Sequence, residues 1–496
     1  MVIERALDRL IGIVSPSRER ERMRARQATE RERMYAAAKS SRLTGGWTPV
    51  EQNVNDLISS SAPQVRAKVR QLVRDFPYFA KAVDSIQEYV VGEGFQLQSR
   101  VKVRNGDKLD QKRNQQIEDA WKRWCEEADI SGQLHFDEMV SLAKRQEVEA
   151  GEYIFIKVPA KRKSGRFLPF ALQAVEPDRL SDLGSMPSRG NDIRDGIEFD
   201  PQTGEKINYW IENDWGKAKA IPADRVIHGY RQLRPGQLRG ISCLAPAVML
   251  AYDLGEYMDA EIDGAKNASK YLGFVTTGDP GTFQGARAQT DPQTGQKVEE
   301  LENAIIEYLR PGEQIDLAKP DRPAQQFEPF TRLLLRMIAV TSGLPYEVLS
   351  SDYNGLNYNT LRSIRNDLIR SITPQQNRLI WQMCRPVYRE FLDKGYLAGV
   401  LDLPSYPRQP HFYQRAEWVA PGVPSADPLK EGKAAVDQIK NNLRSPQETV
   451  AARGRDLGEV MDELAEAKQM AEARGLSLQE VSTSTANNPS SVAGQD

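Results

Sequence analysis

The sequence predicts an α+β chain, mostly helical, on three observations. Apolar residues recur at helical spacing over 65–91, 111–149, 244–272, 327–342 and 360–396. Between the second and third of these stretches, residues 151–230 change to short runs of aromatic and β-branched side chains separated by turn residues. The 496 residues are 40% apolar and 27% charged, an ordinary globular balance with room for about three domains of roughly 150 residues each. Lysine plus arginine (67) nearly cancels aspartate plus glutamate (69), so a net charge of −2 provides no uniform basic field, and any DNA contact must be local or weak. Cys125, Cys243 and Cys384 lie far apart without paired spacing, which fits core residues of a reducing compartment. The longest apolar run, Leu244 to Tyr252, is too short to span a bilayer, and no cleavage site follows the N-terminus, so the expectation is a soluble protein without an export signal.

Taken in order, residues 18–33 (RERERMRARQATERER) interleave arginine and glutamate at spacings that permit helical ion pairs. They read as a solvated helix or arm, with contact to nucleic acid or a neighbouring subunit as the alternative. Val65, Val69, Leu72 and Val73, then Phe79, Val83, Ile86 and Val90, mark two helices that meet near Pro77 and end at Gly92 and Gly94. Helices at 111–127 and 136–149 lead to a strand at 151–159 (GEYIFIKVP), and Asp200 to Gly204 turns a hairpin within IEFDPQTGEKINYWI. Leu244, Val248, Ala251, Leu254, Met258, Ile262, Ala265 and Leu272 line one stripe of a helix of roughly 40 Å, at about 1.5 Å per residue. A mixed unit follows: a polar stretch at 278–300 with a DPQTG turn at 291–295, a short helix at 299–308, and a hairpin turned by Pro311 and Gly312.

Beyond the helix at 327–342 comes a polar loop, SSDYNGLNYN at 350–359, and a helix from Thr360. Thr373 as N-cap, Pro374 as first residue and Gln376 as reciprocal partner predict a kink or fresh start in that helix. Near the C-terminus, Asp427-Pro428 opens a helix, Ser445-Pro446-Gln447-Glu448 is a capping box, and Gly475 closes a helix begun near Asp456. The remainder past residue 480 has the composition of a disordered tail.

A search for chemistry finds no P-loop, and Gly92-Glu93-Gly94 is an incomplete dinucleotide fingerprint. His135, His228 and His411 are scattered and read as structural, and no cysteine or histidine pair has metal-ligand spacing, so neither a cofactor nor a metal is expected. Asp253, Glu256, Asp259 and Asp263 share one helix face. That face suits either a divalent-metal site, as in a nuclease, or a solvated or channel-lining surface. In the loop, Tyr353, Asn354, Asn357 and Tyr358 combine amides, phenols and aromatic faces fit for weak contact with sugar and phosphate, the alternative being an ordinary inter-helix loop. Arg362, Arg365 and Arg370 on the next helix could add phosphate contacts.

The order of segments resembles the lambda-type family of tailed-phage portal proteins. The stretches that carry the resemblance include YAAAKSSRLTGGW (35–47), VRDFPYFAKAVDSIQEYVVGEGF (73–95), IPADRVIHGYRQLRPGQLRGISCLAPAV (221–248) and DAEIDGAKNASKYLGFVTTG (259–278). They continue through residues 308–363, RLIWQMCRPVYREFL (378–392), AEWVAPG (416–422) and DPLKEGKAAV (427–436), and together cover most of 35–460 in family order. The resemblance implies a ring, typically dodecameric, at one capsid vertex of a virion assembled in the host cytoplasm. It divides the chain into a charged arm (1–34), a wing (35–240), a stem helix (241–272) and a clip (273–326). A second stem helix (327–345), a tunnel loop (346–359), a kinked helix with wing return (360–426), crown helices (427–480) and a tail (481–496) complete it. The implied partners are further copies of the chain, double-stranded DNA, the large terminase, head-completion proteins, and the major capsid or scaffold protein; no membrane is implied. The implied function is a non-enzymatic DNA conduit with Tyr353, Asn354, Asn357 and Tyr358 facing DNA and the acidic stem lining the channel. A minor capsid or connector protein and a metal-dependent nuclease remain the alternatives. A conduit must let duplex DNA slide, and since each neutralised phosphate adds affinity, an acidic lining with isolated polar contacts serves it better than a basic one.

Overall fold

The structure, a computed structural model, describes residues 51–268 and 327–476, apart from 104–105, 107, 161–164, 183–184, 214–215, 424–426, 452, 454 and 456, together with the backbone of four strands at 274–277, 289–290, 297–298 and 313–316. The arm, the 35–47 stretch, the helix expected at 299–308, the turn at 311–312 and the tail lie outside the described residues. The chain divides into two units, Met1–Asn53 and Val54–Asp496, and every element below belongs to the second.

Helices α1 (Val54–Asp75) and α2 (Pro77–Val90) meet at Phe76, with Pro77 supplying the preset φ of a first helical turn. Helix α1 starts well before the stripe at Val65, because Val54, Ile58 and Ala62 bury as a small cluster of their own. After strand β1 (Gln96–Ser99) come α3 (Gln111–Cys125), capped by Asp110, and α4 (Phe136–Ala150). His135 caps α4 in a reciprocal box with Glu138, a structural use of that histidine. Gly151 ends α4 at φ +93°, where a Cβ would lie 2.3 Å from the Ile241 backbone.

Two sheets follow. Strand β2 (Glu152–Val158) is central to the first, flanked by β3 (Ala171–Val175) and β8 (Val226–Tyr230), all antiparallel. The second is a meander of β4 (Asp192–Arg194), β5 (Ile197–Phe199), β6 (Lys206–Glu212) and β7 (Ala218–Pro222), and Asp200 to Gly204 turns its β5–β6 hairpin as expected. Packed behind β2 and β3 is an aromatic core. Trp124 stacks on Phe170 at 5.1 Å and donates to its carbonyl at 3.1 Å, and Trp121 meets Phe136, Tyr388, Phe391 and Trp418 edge-on.

Helix α5 (Val248–Ala268) is about 31 Å long at 1.5 Å per residue; Leu244 to Ala247 form a separate turn ahead of it, and 269–272 of the expected helix lie outside the described residues. Strand β9 (Phe274–Thr277) pairs with β12 (Glu313–Asp316) within the 273–326 segment, and β10 (Gln289–Thr290) pairs with β11 (Lys297–Val298) around the DPQTG stretch. Helix α6 (Phe327–Ser342) leads to the short α7 (Tyr346–Ser350) and to α8 (Tyr358–Leu379).

Of the kink or fresh start expected at Thr373, the fresh start does not occur, and α8 runs through Pro374. Thr373 Oγ1 donates back to the Ile369 carbonyl instead of capping, and Gln376 donates to the carbonyls of Val90 and Pro421. The irregularity falls later, in a π turn at Ile380–Cys384 ahead of α9 (Arg385–Leu397). After α10 (Pro410–Tyr413), β13 (Ala416–Val419) returns to pair with β1. Helices α11 (Pro428–Lys440), α12 (Pro446–Ala451) and α13 (Leu457–Ala473) close the chain, with Asp427, the Ser445–Glu448 box and Gly475 at φ +69° in the expected roles.

Candidate functional site

On α5 the four predicted carboxylates are all exposed, on the side away from the fully buried Ala251 and Leu254. Glu256 accepts from Tyr252 Oη at 2.5 Å, Asp263 pairs with Lys266 at 3.3 Å, and Asp253 and Asp259 stand in solvent. Among the described residues no group of three or more acidic, cysteine or histidine side chains converges as metal ligands do, so the helical spacing produces a charged face without a coordination pocket. The apolar stripe is shorter than its sequence pattern. Ile262 is 47% exposed, and Glu261 is buried nearby.

Helix α6 buries Leu335, Ile338 and Ala339, yet Phe330, Leu333, Met337 and Val340 are exposed on its other side, Val340 at 81%. Their spacing of three and four residues makes a second apolar face on the same helix. Tyr257 of α5 joins the two helices, stacking on Phe327 at 5.7 Å and meeting Phe330 edge-on at 5.3 Å.

The loop before α8 is shorter than predicted because Tyr358 is already helical. Ser351 enters it at φ +55°, Asp352 accepts from the Asn354 amide at 3.2 Å, and Gly355 takes φ +74° in open space. Tyr353 is 52% exposed and Asn354 is exposed beside it. Asn357, also exposed, caps α8, its Oδ1 accepting from Thr360 N at 2.9 Å. The Tyr358 ring carries Lys430 Nζ at 4.7 Å from its centroid. Arg362 is exposed and Arg370 pairs with Asp367 at 3.5 Å, while Arg365 donates to Glu431 at 2.5 Å and to the Val423 carbonyl at 2.9 Å. The Arg365 guanidinium thereby ties α8 to α11.

The model of the phage portal protein family described as "lambda family" matches residues 40–376. The chain belongs to the lambda family of phage portal proteins. Among relatives of this family member, a probable portal protein of Halomonas phage phiHAP-1 is 26% identical, covering 89% of this chain and 87% of its own length. Portal protein B of Escherichia phage lambda is 23% identical over 84% of this chain and 85% of its own length, and the portal protein of Escherichia phage N15 is 23% identical over 87% and 88%. Of solved structures, the neck of an empty gene transfer agent particle aligns at a TM-score of 0.47 and 15% identity over 83% of this chain and 96% of that chain. The neck of the native particle aligns at 0.40 and 14%, over 72% and 98%.

Sequence reasoning missed a buried charge network in the body of this portal-family chain. Glu152, fully buried on β2, takes Arg239 Nε at 2.8 Å, the Gly240 amide at 2.8 Å, His228 Nε2 at 3.0 Å and Arg66 Nη2 at 3.3 Å. Burial alone would raise its pKa, but Arg239 and His228 outweigh burial and hold the carboxyl well below its usual range. His228 is driven down to about 4, by burial first and by the Lys206 charge second, so the ring is neutral at pH 7. With Nε2–H donated to Glu152, its Nδ1 accepts from the groups beside it, Lys206 Nζ at 3.3 Å and Tyr209 Oη at 3.2 Å. Glu198 is similarly held at about 2: burial opposes, and donors from Asn191, Asn208 and the Ser188 amide prevail. The available signal was an acidic residue opening a strand that is apolar from Tyr153 to Ile156; its partner Arg239 is 87 residues further on.

Proposed function

We propose that copies of this chain assemble into a closed ring, typically of twelve subunits, at one capsid vertex of a phage particle. The names of its relatives, portal proteins of phages, support a place in the virion. Double-stranded DNA is packaged and ejected through the channel, the 273–326 segment receives the terminase and later the head-completion proteins, and assembly takes place in the host cytoplasm against the capsid or scaffold protein. The role is structural and no catalytic step is assigned to the chain.

The observation that carries this reading is the pair of unlike faces on α5 and α6. Phe330, Leu333, Met337 and Val340 leave an apolar row in water on a single subunit, which a closed ring covers by packing one face of each subunit on a different face of the next. The exposed carboxylates of α5 then suit a lumen that DNA must slide through, because they add no phosphate contacts to hold it. Tyr353 and Asn354, at the exposed tip before α8, are the loop groups available for weak contact with the duplex; Asn357 and Tyr358 shape the base of that loop.

Native mass spectrometry and negative-stain imaging of the purified chain test this. Rings with a central channel wide enough for duplex DNA are expected, and a chain that stays monomeric under every assembly condition overturns the reading.

A further inference from the structure

A pocket of about 330 Å³ opens between the start of α9 and the paired strands β1 and β13. Four arginines line it: Arg385 and Arg389 one turn apart on α9, Arg100 just after β1, and Arg415 just before β13. The Arg100 amide donates to the Arg415 carbonyl at 2.9 Å, which fixes the backbones of these two residues against each other. The one carboxylate in the lining, Glu417, is already engaged by Arg100 at 2.8 Å. Arg385 lies over the Trp381 ring at 5.1 Å and Arg415 over Phe412 at 5.5 Å, and among the described residues neither they nor Arg389 have a carboxylate in ion-pair reach. Trp418, also in the lining, has a buried indole N–H with no acceptor.

We propose that this pocket binds phosphate groups, and that its ligand is the phosphate backbone of double-stranded DNA. Three guanidiniums without counter-charge in one concavity repel one another, and an oxyanion relieves that repulsion. All four cations are arginines, whose planar forks match phosphate oxygens two at a time. Arg385 and Arg389, about 5–6 Å apart at Cβ, can each take a separate phosphate of one strand. The groups stand on a helix and on paired strands, a rigid frame suited to a regular backbone. In a chain of net charge −2 such a cluster is where DNA contact can be local without a basic field elsewhere. The phosphate chemistry rests on the arginines alone; DNA as its source rests on the conduit role proposed above.

The test uses the full-length chain with inorganic tripolyphosphate in calorimetry and a short labelled duplex in fluorescence anisotropy across a salt series. In the double variant Arg385→Ala/Arg389→Ala, with thermal unfolding checked against the parent, tripolyphosphate affinity falls at least about tenfold. The slope of log K against log salt for the duplex falls by about 2, while Tyr353→Ala/Tyr358→Ala leaves that slope unchanged. No tripolyphosphate binding by the parent chain, binding unaltered in the double variant, or an oligoglutamate peptide that tripolyphosphate fails to displace overturns the phosphate pocket. A tripolyphosphate response without a duplex response makes free phosphate the ligand and overturns the DNA assignment. These readouts do not depend on ring formation, so failure of the conduit reading and failure of the pocket are separable.

Discussion

Glu152 and the carboxylates of α5 are the same chemistry in opposite surroundings. In the sheet-rich body one buried carboxylate is met by two arginines, a histidine and a backbone amide, while on α5 Asp253 and Asp259 stand in water. Apolar groups divide the same way. Trp124, Tyr153 and Phe155 are fully enclosed, whereas Phe330, Leu333, Met337 and Val340 on α6 are left outside. The body pairs this carboxylate and encloses these rings within one chain. Helices α5 and α6 leave a charged face and an apolar row in water, and a face that one subunit leaves uncovered is where further copies are expected to act.

The largest effect that would break this contrast is on the body. Arg239→Ala removes the nearest counter-charge of buried Glu152, leaving Arg66 at 3.3 Å, and is expected to cost about 3–5 kcal/mol, read as a lowered urea midpoint. A loss under about 1 kcal/mol would mean that the network is not what holds the body together. Acid is the second test. His228 sits at about 4 in the folded chain against an ordinary value of 6.5, so below pH 6.5 the unfolded chain takes up a proton that the folded chain refuses, and stability falls as pH drops towards 4. The loss from this group is of the order of 3 kcal/mol, and Glu198, held at about 2 against 4.5, continues the decline below pH 4.5. Urea midpoints at pH 7 and pH 4 check it, and a flat profile would contradict the neutral, buried ring.

The helices should behave in the reverse manner. Leu333→Glu/Val340→Asp changes two exposed positions, so each substitution should shift monomer stability by no more than about 0.5 kcal/mol while ring formation, followed by native mass spectrometry, is lost. Smallest in physical scale is Tyr353→Ala/Tyr358→Ala, which should leave stability and rings intact and lower the yield of filled, DNA-retaining particles; a normal yield would remove the loop from the account.

How much of this was legible follows the range of the interactions. Helices around Pro77, the caps at Asp427 and Ser445, and the Asp200–Gly204 turn rest on neighbours within a few residues, and they stand in the structure as the sequence implies. The exposed α5 carboxylates were legible for the same reason, being set by helical period. Long-range partners were not. Arg365 looked free because Glu431 is 66 residues away, and the arginine pocket joins residues near 100, 387 and 415 that no local pattern connects. Pro374 and Thr373 misled because a proline inside a helix and a proline at its first turn share one local pattern, and Gln376 was held by distant carbonyls of Val90 and Pro421. The α6 apolar row was visible only as surplus hydrophobicity until burial separated its inner side from its outer one.

The central claim, that α5 and α6 are completed by neighbouring copies, is tested most directly by an electron cryomicroscopy structure of the assembled full-length protein. The account predicts Phe330, Leu333, Met337 and Val340 covered by the adjacent subunit and Asp253, Glu256, Asp259 and Asp263 facing an open lumen; an assembly in which that apolar row stays in solvent, or those carboxylates face outward, would contradict it.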